Sequence, residues 1–235
     1  MKSWNGLLTV VSMLLLIVSV LLTSFQLAIY GDKEYKFYEK EYKKYMVTDD
    51  LNMEMDDVMQ VTEHMMDYLI GKESELSIVT QVDGQWQDFF NEQDRLHMAD
   101  VKKLFLGGLK LRTGFFLLFL LGMFLLVFRK TDWKYLIPKG YGIALGIFVM
   151  AGFVIGIAMS VDFTACFTIF HEIFFTNDLW MFDANTDYMI RMLPEGFFSD
   201  MVVRIGIIFA LGLFILGVFF LIWFRIVKKT DKCNL

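Results

Sequence analysis

The chain has 235 residues, is 56% hydrophobic, holds 25 phenylalanines and carries a formal net charge of −5, with a mean hydropathy of +0.50. Soluble domains are about 45–50% apolar, so the composition argues against one and for a membrane protein. The acidic balance argues against a nucleic-acid partner, which needs a basic face, and two cysteines, Cys166 and Cys233, cannot make a disulfide scaffold.

In chain order, Trp4 to Tyr30 is the first apolar stretch. It exceeds the roughly 20 helical residues needed to span hydrocarbon. Lys2 precedes it, but the run is too long for a signal-peptide core and no small-x-small cleavage site follows. Residues 1–30 are therefore expected to be an uncleaved signal anchor with a cytoplasmic N-terminus. No lipobox cysteine is present, so the chain is not expected to be a lipoprotein itself.

Residues 31–103 are polar, with 18 acidic and 9 basic residues, a balance of −9. Tyr30, Tyr35, Phe37, Tyr38, Tyr42 and Tyr45 cluster at the start, where aromatic rings favour the headgroup level. Glu39 and Lys43 form an i,i+4 pair. Leu51, Met55, Val58, Val61, Met65, Met66 and Leu69 recur at spacings of three and four, which predicts an amphipathic helix, N-capped by Asp49 or Asp50 and ended by Gly71. Ser77 to Val82 reads as a strand closed by the hairpin pair Asp83-Gly84. The segment is thus expected to be a small cap domain, with His64 on its surface.

Residues 104–128 form the second span. Lys110 and Arg112 interrupt its outer half, where a cation either snorkels to the interface or lines a polar pocket for a lipid headgroup or an oxyanion. The loop 129–139 holds Arg129, Lys130, Lys134 and Lys139 against Asp132 alone, so the positive-inside rule places it in the cytoplasm. The third span, 140–161, carries Gly142, Gly146, Gly152 and Gly156, expected to allow close helix packing. Residues 162–200 form a second acidic loop, with 7 acidic residues and 1 basic, a balance of −6. The fourth span is 201–227, with Arg204 near its outer end, and a basic cytoplasmic tail follows at 228–235. The fold expected is an all-α integral membrane protein: four transmembrane helices, both termini inside, and a small, mainly helical extracytoplasmic cap domain. On this topology Cys166 and Cys233 lie on opposite sides and are unpaired.

Two polar runs carry the chemistry, Asn91–Lys103 and Phe170–Trp180. If Asn91 caps a helix, Asp94 at the third position answers free backbone amides, which gives Asn91, Glu92 and Asp94 a structural part. His97 is one turn from both Asp94 and Asp100, and either carboxylate at a ring nitrogen would raise the basicity of the other nitrogen. In the second run His171, Phe174, Phe175 and Asp178 share one face at helical spacing. Taken singly, each histidine is a polar residue tolerated at the headgroup level. No Gly-x-Ser-x-Gly elbow, no His-Glu-x-x-His motif (Phe175 stands where the second histidine would be) and no phosphate-binding glycine loop occurs. A zinc site from His97, His171 and a carboxylate is conceivable, but a metal-free pair is preferred and no cofactor is expected.

Asn91-Glu92 with His97-Met98-x-Asp100-Val101-Lys102, followed by Phe170-His171-x-x-Phe174-Phe175-x-Asn177-Asp178-x-Trp180, resembles the lipoprotein intramolecular transacylase family of bacterial membrane enzymes. Asp183, Asp187, Pro194 and Phe197-Phe198 fit as well, while Ala184 stands where the family usually has proline. The resemblance implies an acyltransferase of the bacterial cytoplasmic membrane, acting at its outer surface on a diacylated lipoprotein among membrane lipids. It moves the sn-2 acyl chain from glycerol oxygen to the cysteine α-amine, leaving an N-acyl, S-monoacylglyceryl lyso form. His97 and His171 map onto the family's essential histidines, with Glu92, Asp94, Asp100, Asn177 and Asp178 orienting or supporting, and Lys110 and Arg112 at the oxyanion or headgroup. His97 as base and His171 as acid is the first assignment; the roles can be exchanged, and a covalent acyl-histidine route is a further alternative. Two other readings remain beside it. One is a non-enzymatic lipid-binding or sensor protein. The other is a small transporter, against which the lack of charges near the midplane of spans one and three argues.

Overall fold

The computed structural model describes residues 2–129 and 132–233, with side chains over 4–129 and 132–230. Lys130, expected in the basic loop, and the side chains of Lys232 and Cys233 lie outside the described residues. The elements are α1 (Lys2–Tyr30), α2 (Lys36–Lys44), α3 (Val47–Leu51), α4 (Met55–Leu69), β1 (Val79–Val82), β2 (Gln85–Asp88), α5 (Glu92–Phe128), α6 (Trp133–Val161), α7 (Phe163–Phe174), α8 (Tyr188–Met192) and α9 (Glu195–Cys233). Among the described residues, α1, α5, α6 and α9 are long and apolar enough to cross a membrane.

The chain divides into two units. The apolar one comprises Met1–Gln26, Leu109–Val161 and Ile205–Leu235; the polar one comprises Leu27–Gly108 and Asp162–Arg204. Helix α5 therefore runs past its apolar segment. Its first twelve residues hold six charged side chains, and the helix belongs to the polar unit as far as Gly108 and to the apolar unit from Leu109.

The core of the apolar unit joins Met13, Leu16 and Ile17 of α1 to Leu126 of α5, Ile137, Tyr141 and Ala144 of α6, and Leu213 and Phe220 of α9. Helices in lipid gain little from apolar burial alone, so close approach and interhelical hydrogen bonds carry the association. The Tyr141 hydroxyl donates to the Leu213 carbonyl at 2.6 Å. A Cβ on Gly122 would strike Ser12, and one on Gly140 would strike Thr9. The glycines expected to serve this purpose do not: Gly142, Gly146, Gly152 and Gly156 have nothing within 4 Å of an added Cβ. They lie on the part of α6 whose side chains face outward, as Val149, Met150 and Phe153 do. Arg112 donates to the Gln26 side chain, and the Ser19 hydroxyl donates to the Arg112 carbonyl at 3.2 Å. Lys110 is exposed.

In the polar unit, the α4 stripe buries Val58, Val61, Met65, Met66 and Leu69, as its spacing predicts. Its start differs from expectation. Asn52 adopts a left-handed conformation (φ 47), which breaks the chain between α3 and α4. Asp49 and Asp50 thus fall in the first turn of α3, and Glu54 occupies the N-cap of α4 without a side-chain bond. The hairpin forms as read, with positive φ at both Asp83 (51) and Gly84 (75), the geometry a two-residue type I′ turn requires. Arg191 of α8 reaches both this turn and α3, donating to Asp83 at 2.9 Å and to Asp50 at 3.1 Å. The Glu39–Lys43 pair forms at 2.5 Å but is exposed and contributes little. Gly196 opens α9 against the Tyr45 ring, where any Cβ would collide. His64 is half-buried and its Nε2 accepts the Ser77 backbone N–H at 3.2 Å.

Candidate active site

Two local helix signals set the ring positions within the polar unit. At the start of α5 the Asn91 side chain accepts the Asp94 N–H at 2.9 Å, and the Asp94 carboxylate accepts the Asn91 N–H at 3.0 Å. This is a reciprocal capping box with aspartate in the glutamate place, as the sequence predicts. At the start of α7 Asp162 accepts the Ala165 N–H at 2.8 Å. His97 therefore sits near the start of one helix and His171 in the last turn of another. The His97 and His171 ring centroids are 6.1 Å apart with planes 27° apart.

Both imidazoles are buried, at 6% and 8% exposure. Aromatic rings enclose them. Phe175 and Phe182 lie 5.0 and 5.3 Å from His97; Phe167, Trp180 and Phe175 lie 4.2, 4.9 and 5.5 Å from His171. Burial pushes His97 down to about 4, with the nearby His171 adding to the effect and Asp100 opposing it. Burial also lowers His171, against the opposing bond to the Phe167 carbonyl. Two neutral imidazoles in an apolar enclosure follow at pH 7.

Their tautomers are not equivalent. His171 Nδ1 lies 2.8 Å from the Phe167 carbonyl oxygen. A carbonyl only accepts, so Nδ1 carries the proton and Nε2 keeps the lone pair. His97 Nδ1 is buried with no hydrogen-bond partner among the described residues.

Neither carboxylate expected to orient His97 bonds to its ring. Asp94 is fully buried and turned back into the helix cap, and burial pushes its carboxyl up to about 6. Asp100 is instead occupied by Lys103 at 2.9 Å and Asn177 at 3.0 Å, which hold it below the usual carboxylate range. The face expected to join His171, Phe174, Phe175 and Asp178 also dissolves. Helix α7 ends at Phe174, which points outward, and Asp178 lies exposed in the following loop. Glu92 is exposed in the first turn of α5. Among the described residues no group of three His, Cys, Asp or Glu side chains is placed to hold a metal ion. Cys166 is free.

The loop after α7 is tied to α5 at three points. Asn177 donates to Asp100. Gln93 Nε2 donates to the carbonyls of Leu179 at 3.1 Å and Met181 at 3.0 Å. Asn91 donates to Asp187, which is buried and also accepts the Asp183 N–H at 2.6 Å. Gln93 and Phe182 carry no sequence signal that marks them, and the Phe167 carbonyl is invisible to any reading of side chains.

Comparisons with known proteins converge. The model of the family described as lipoprotein intramolecular transacylase Lit matches residues 10–198. The in meso structure of the membrane integral lipoprotein intramolecular transacylase Lit from Bacillus cereus is similar at a TM-score of 0.76 and 21% identity, covering 99% of this chain and 100% of that one. A histidine-to-arginine variant of the Bacillus cereus protein gives 0.72 at 20% identity, over 100% and 96% of the two chains. A histidine-to-alanine variant gives 0.73 at 21% identity, over 98% and 97%. Among curated proteins no relative matches.

Proposed function

This chain belongs to the lipoprotein intramolecular transacylase family of membrane acyltransferases, and from that premise we propose how its histidine pair performs the transfer. The substrate is a lipoprotein whose N-terminal cysteine carries a diacylglyceryl thioether and a free α-amine. The sn-2 acyl chain passes from glycerol oxygen to that amine, giving the lyso form. Ester-to-amide exchange is downhill, and donor and acceptor share one molecule. Orientation alone can supply effective molarities of about 10⁵ M or more. The family assignment displaces the lipid-sensor and transporter readings.

The observation that carries the assignment of roles is the Phe167 carbonyl on His171 Nδ1. It supports the exchanged assignment: His171 Nε2 is the base and His97 the electrophile. The α-amine has an ordinary pKa of about 7.7–8.0, so a sizeable share is neutral near pH 7.5. As it attacks the ester carbonyl, His171 Nε2 takes its proton. An N–H of neutral His97 donates to the oxyanion. On collapse, His171 returns the proton to the departing glycerol oxygen, so protons balance. The aromatic enclosure excludes water, which would otherwise hydrolyse the ester. The polar unit is placed on the extracytoplasmic face, with both termini inside, because the basic residues lie at the 129–139 turn and the tail.

Mass spectrometry of a reporter lipoprotein, co-expressed in cells that leave its lipidated cysteine with a free amine, tests the activity. The intact mass should stay unchanged while fragment ions move one acyl chain onto the amine, and that acyl group should survive mild alkali. A lipopeptide identical with and without the chain overturns the reading. Orientation is tested separately with a membrane-impermeant maleimide. In a chain with Cys166 and Cys233 replaced by serine, Glu73→Cys should label in intact spheroplasts, and Lys229→Cys only after permeabilisation; the reverse pattern inverts the topology.

A further inference from the structure

We propose that Gln93 is a positioning residue for the transacylation site, one that clamps the Leu179–Met181 turn so that Trp180 stays stacked on His171 and Phe182 stays edge-on to His97. The inference rests on the transacylase reading for its effect on turnover, but its geometry stands apart from that reading. The Gln93 carboxamide bonds the backbone on both sides of Trp180, through the Leu179 and Met181 carbonyls. Two carbonyl oxygens converge on one nitrogen, which only a donor can satisfy. Gln93 is one turn before His97 on the same helix, so the clamp and the His97 ring move as one body.

Within the turn two local hydrogen bonds form, Asn177 Oδ1 accepting the Leu179 N–H at 3.1 Å and the Asp178 carbonyl accepting the Met181 N–H at 3.1 Å, and both fix its shape without joining it directly to α5. Leu179 and Trp180 are half-buried and Met181 is exposed. The neighbouring ties, Asn177 to Asp100 and Asn91 to Asp187, lie at the two ends of the loop rather than at the rings. Yet Trp180 and Phe182 form the part of the enclosure contributed by this loop, at 4.9 Å from His171 and 5.3 Å from His97. If the turn lifts, water reaches both rings, and the desolvation that keeps them uncharged is lost. Gln93 thereby decides how dry the histidine pair is, without touching substrate.

The test uses near-isosteric exchanges. Gln93→Glu keeps the shape but replaces the donor with an acceptor facing two carbonyls. Gln93→Lys restores a donor of similar reach. Two readouts are taken on full-length enzyme in nanodiscs: turnover against pH, and the rate at which diethyl pyrocarbonate carbethoxylates each histidine, followed by peptide mass spectrometry. His64, half-buried elsewhere, is the internal reference. Gln93→Glu should label His97 and His171 at a rate approaching that of His64, lower turnover by about 10–100-fold, and move the second break of the acid limb, below the one set by the substrate amine, up toward about 6.5. Gln93→Lys should return all three toward the parent. A purely structural role would lower turnover through lost protein without moving the acid limb. Labelling of His97 and His171 in Gln93→Glu as slow as in the parent overturns the proposal, whatever the turnover. If labelling separates the variants as stated while the parent moves no acyl chain, the clamp stands and the transacylase reading is what fails.

Discussion

His171→Phe is expected to abolish detectable acyl transfer while leaving the protein folded. The loss should be about 10²–10⁴-fold, the range assigned to a positioned general base. Phenylalanine keeps a ring against Phe167, Phe175 and Trp180, so the enclosure survives while the Nε2 lone pair and the Nδ1–H are removed. The Phe167 carbonyl it frees remains within the α7 helix ladder, so no buried acceptor is orphaned. His171→Ala should be equally inactive but also less stable, by about 1–3 kcal/mol for the lost ring. His97→Ala should cost about 10²–10³-fold as a lost oxyanion donor, and His97→Gln less, because a carboxamide still donates. Reporter lipopeptide mass spectrometry reads turnover, and thermal denaturation in detergent reads the fold. Turnover by His171→Phe within tenfold of the parent removes His171 as the base. An acyl group trapped on either imidazole replaces direct transfer with the covalent route.

The largest effect on stability is expected at Asn91. Its side chain caps α5 through the Asp94 N–H and also supplies the donor to buried Asp187. Replacing an N-cap asparagine with alanine costs about 0.5–2 kcal/mol. Leaving a buried acceptor unpaired costs about 1–3 kcal/mol more. Asn91→Ala should therefore destabilise the polar unit by about 2–4 kcal/mol. Asn91→Ser, which still caps but lacks the amide donor, should recover only the capping part. Thermal denaturation of the two variants separates the contributions. Equal midpoints for alanine and serine would mean the cap contributes nothing, whereas a serine midpoint at the parent's would mean the Asp187 contact contributes nothing.

What the sequence determined about this protein is local or one-dimensional. The four apolar runs are legible because spanning hydrocarbon requires an uninterrupted length. The Asp83-Gly84 turn is legible because two adjacent positive φ values admit few residue pairs. The Asn91–Asp94 box is legible because a cap is answered within one turn of its own helix. Even the α4 stripe follows from spacing alone, although its first turn does not, since the left-handed Asn52 that breaks it is a choice of backbone.

Tertiary structure decided everything that depends on which surfaces meet. The glycines of α6 illustrate this: Gly140 packs on Thr9, whereas Gly142, Gly146, Gly152 and Gly156 meet nothing, and no count of glycines tells which face a neighbouring helix takes. The order of apolar and polar runs put each histidine at the headgroup level, but only folding put their centroids 6.1 Å apart. Sequence spacing offered Asp94 and Asp100 as partners for His97, yet each found a better one, a backbone amide for the first and Lys103 with Asn177 for the second. The tautomer of His171 is set by a main-chain carbonyl, which every residue has and no sequence displays. The physical reason is range: caps, turns and apolar lengths are settled within a few residues of chain, whereas burial, ring tautomer and the closure of the loop over the histidines are settled by segments far apart in sequence that share one enclosure.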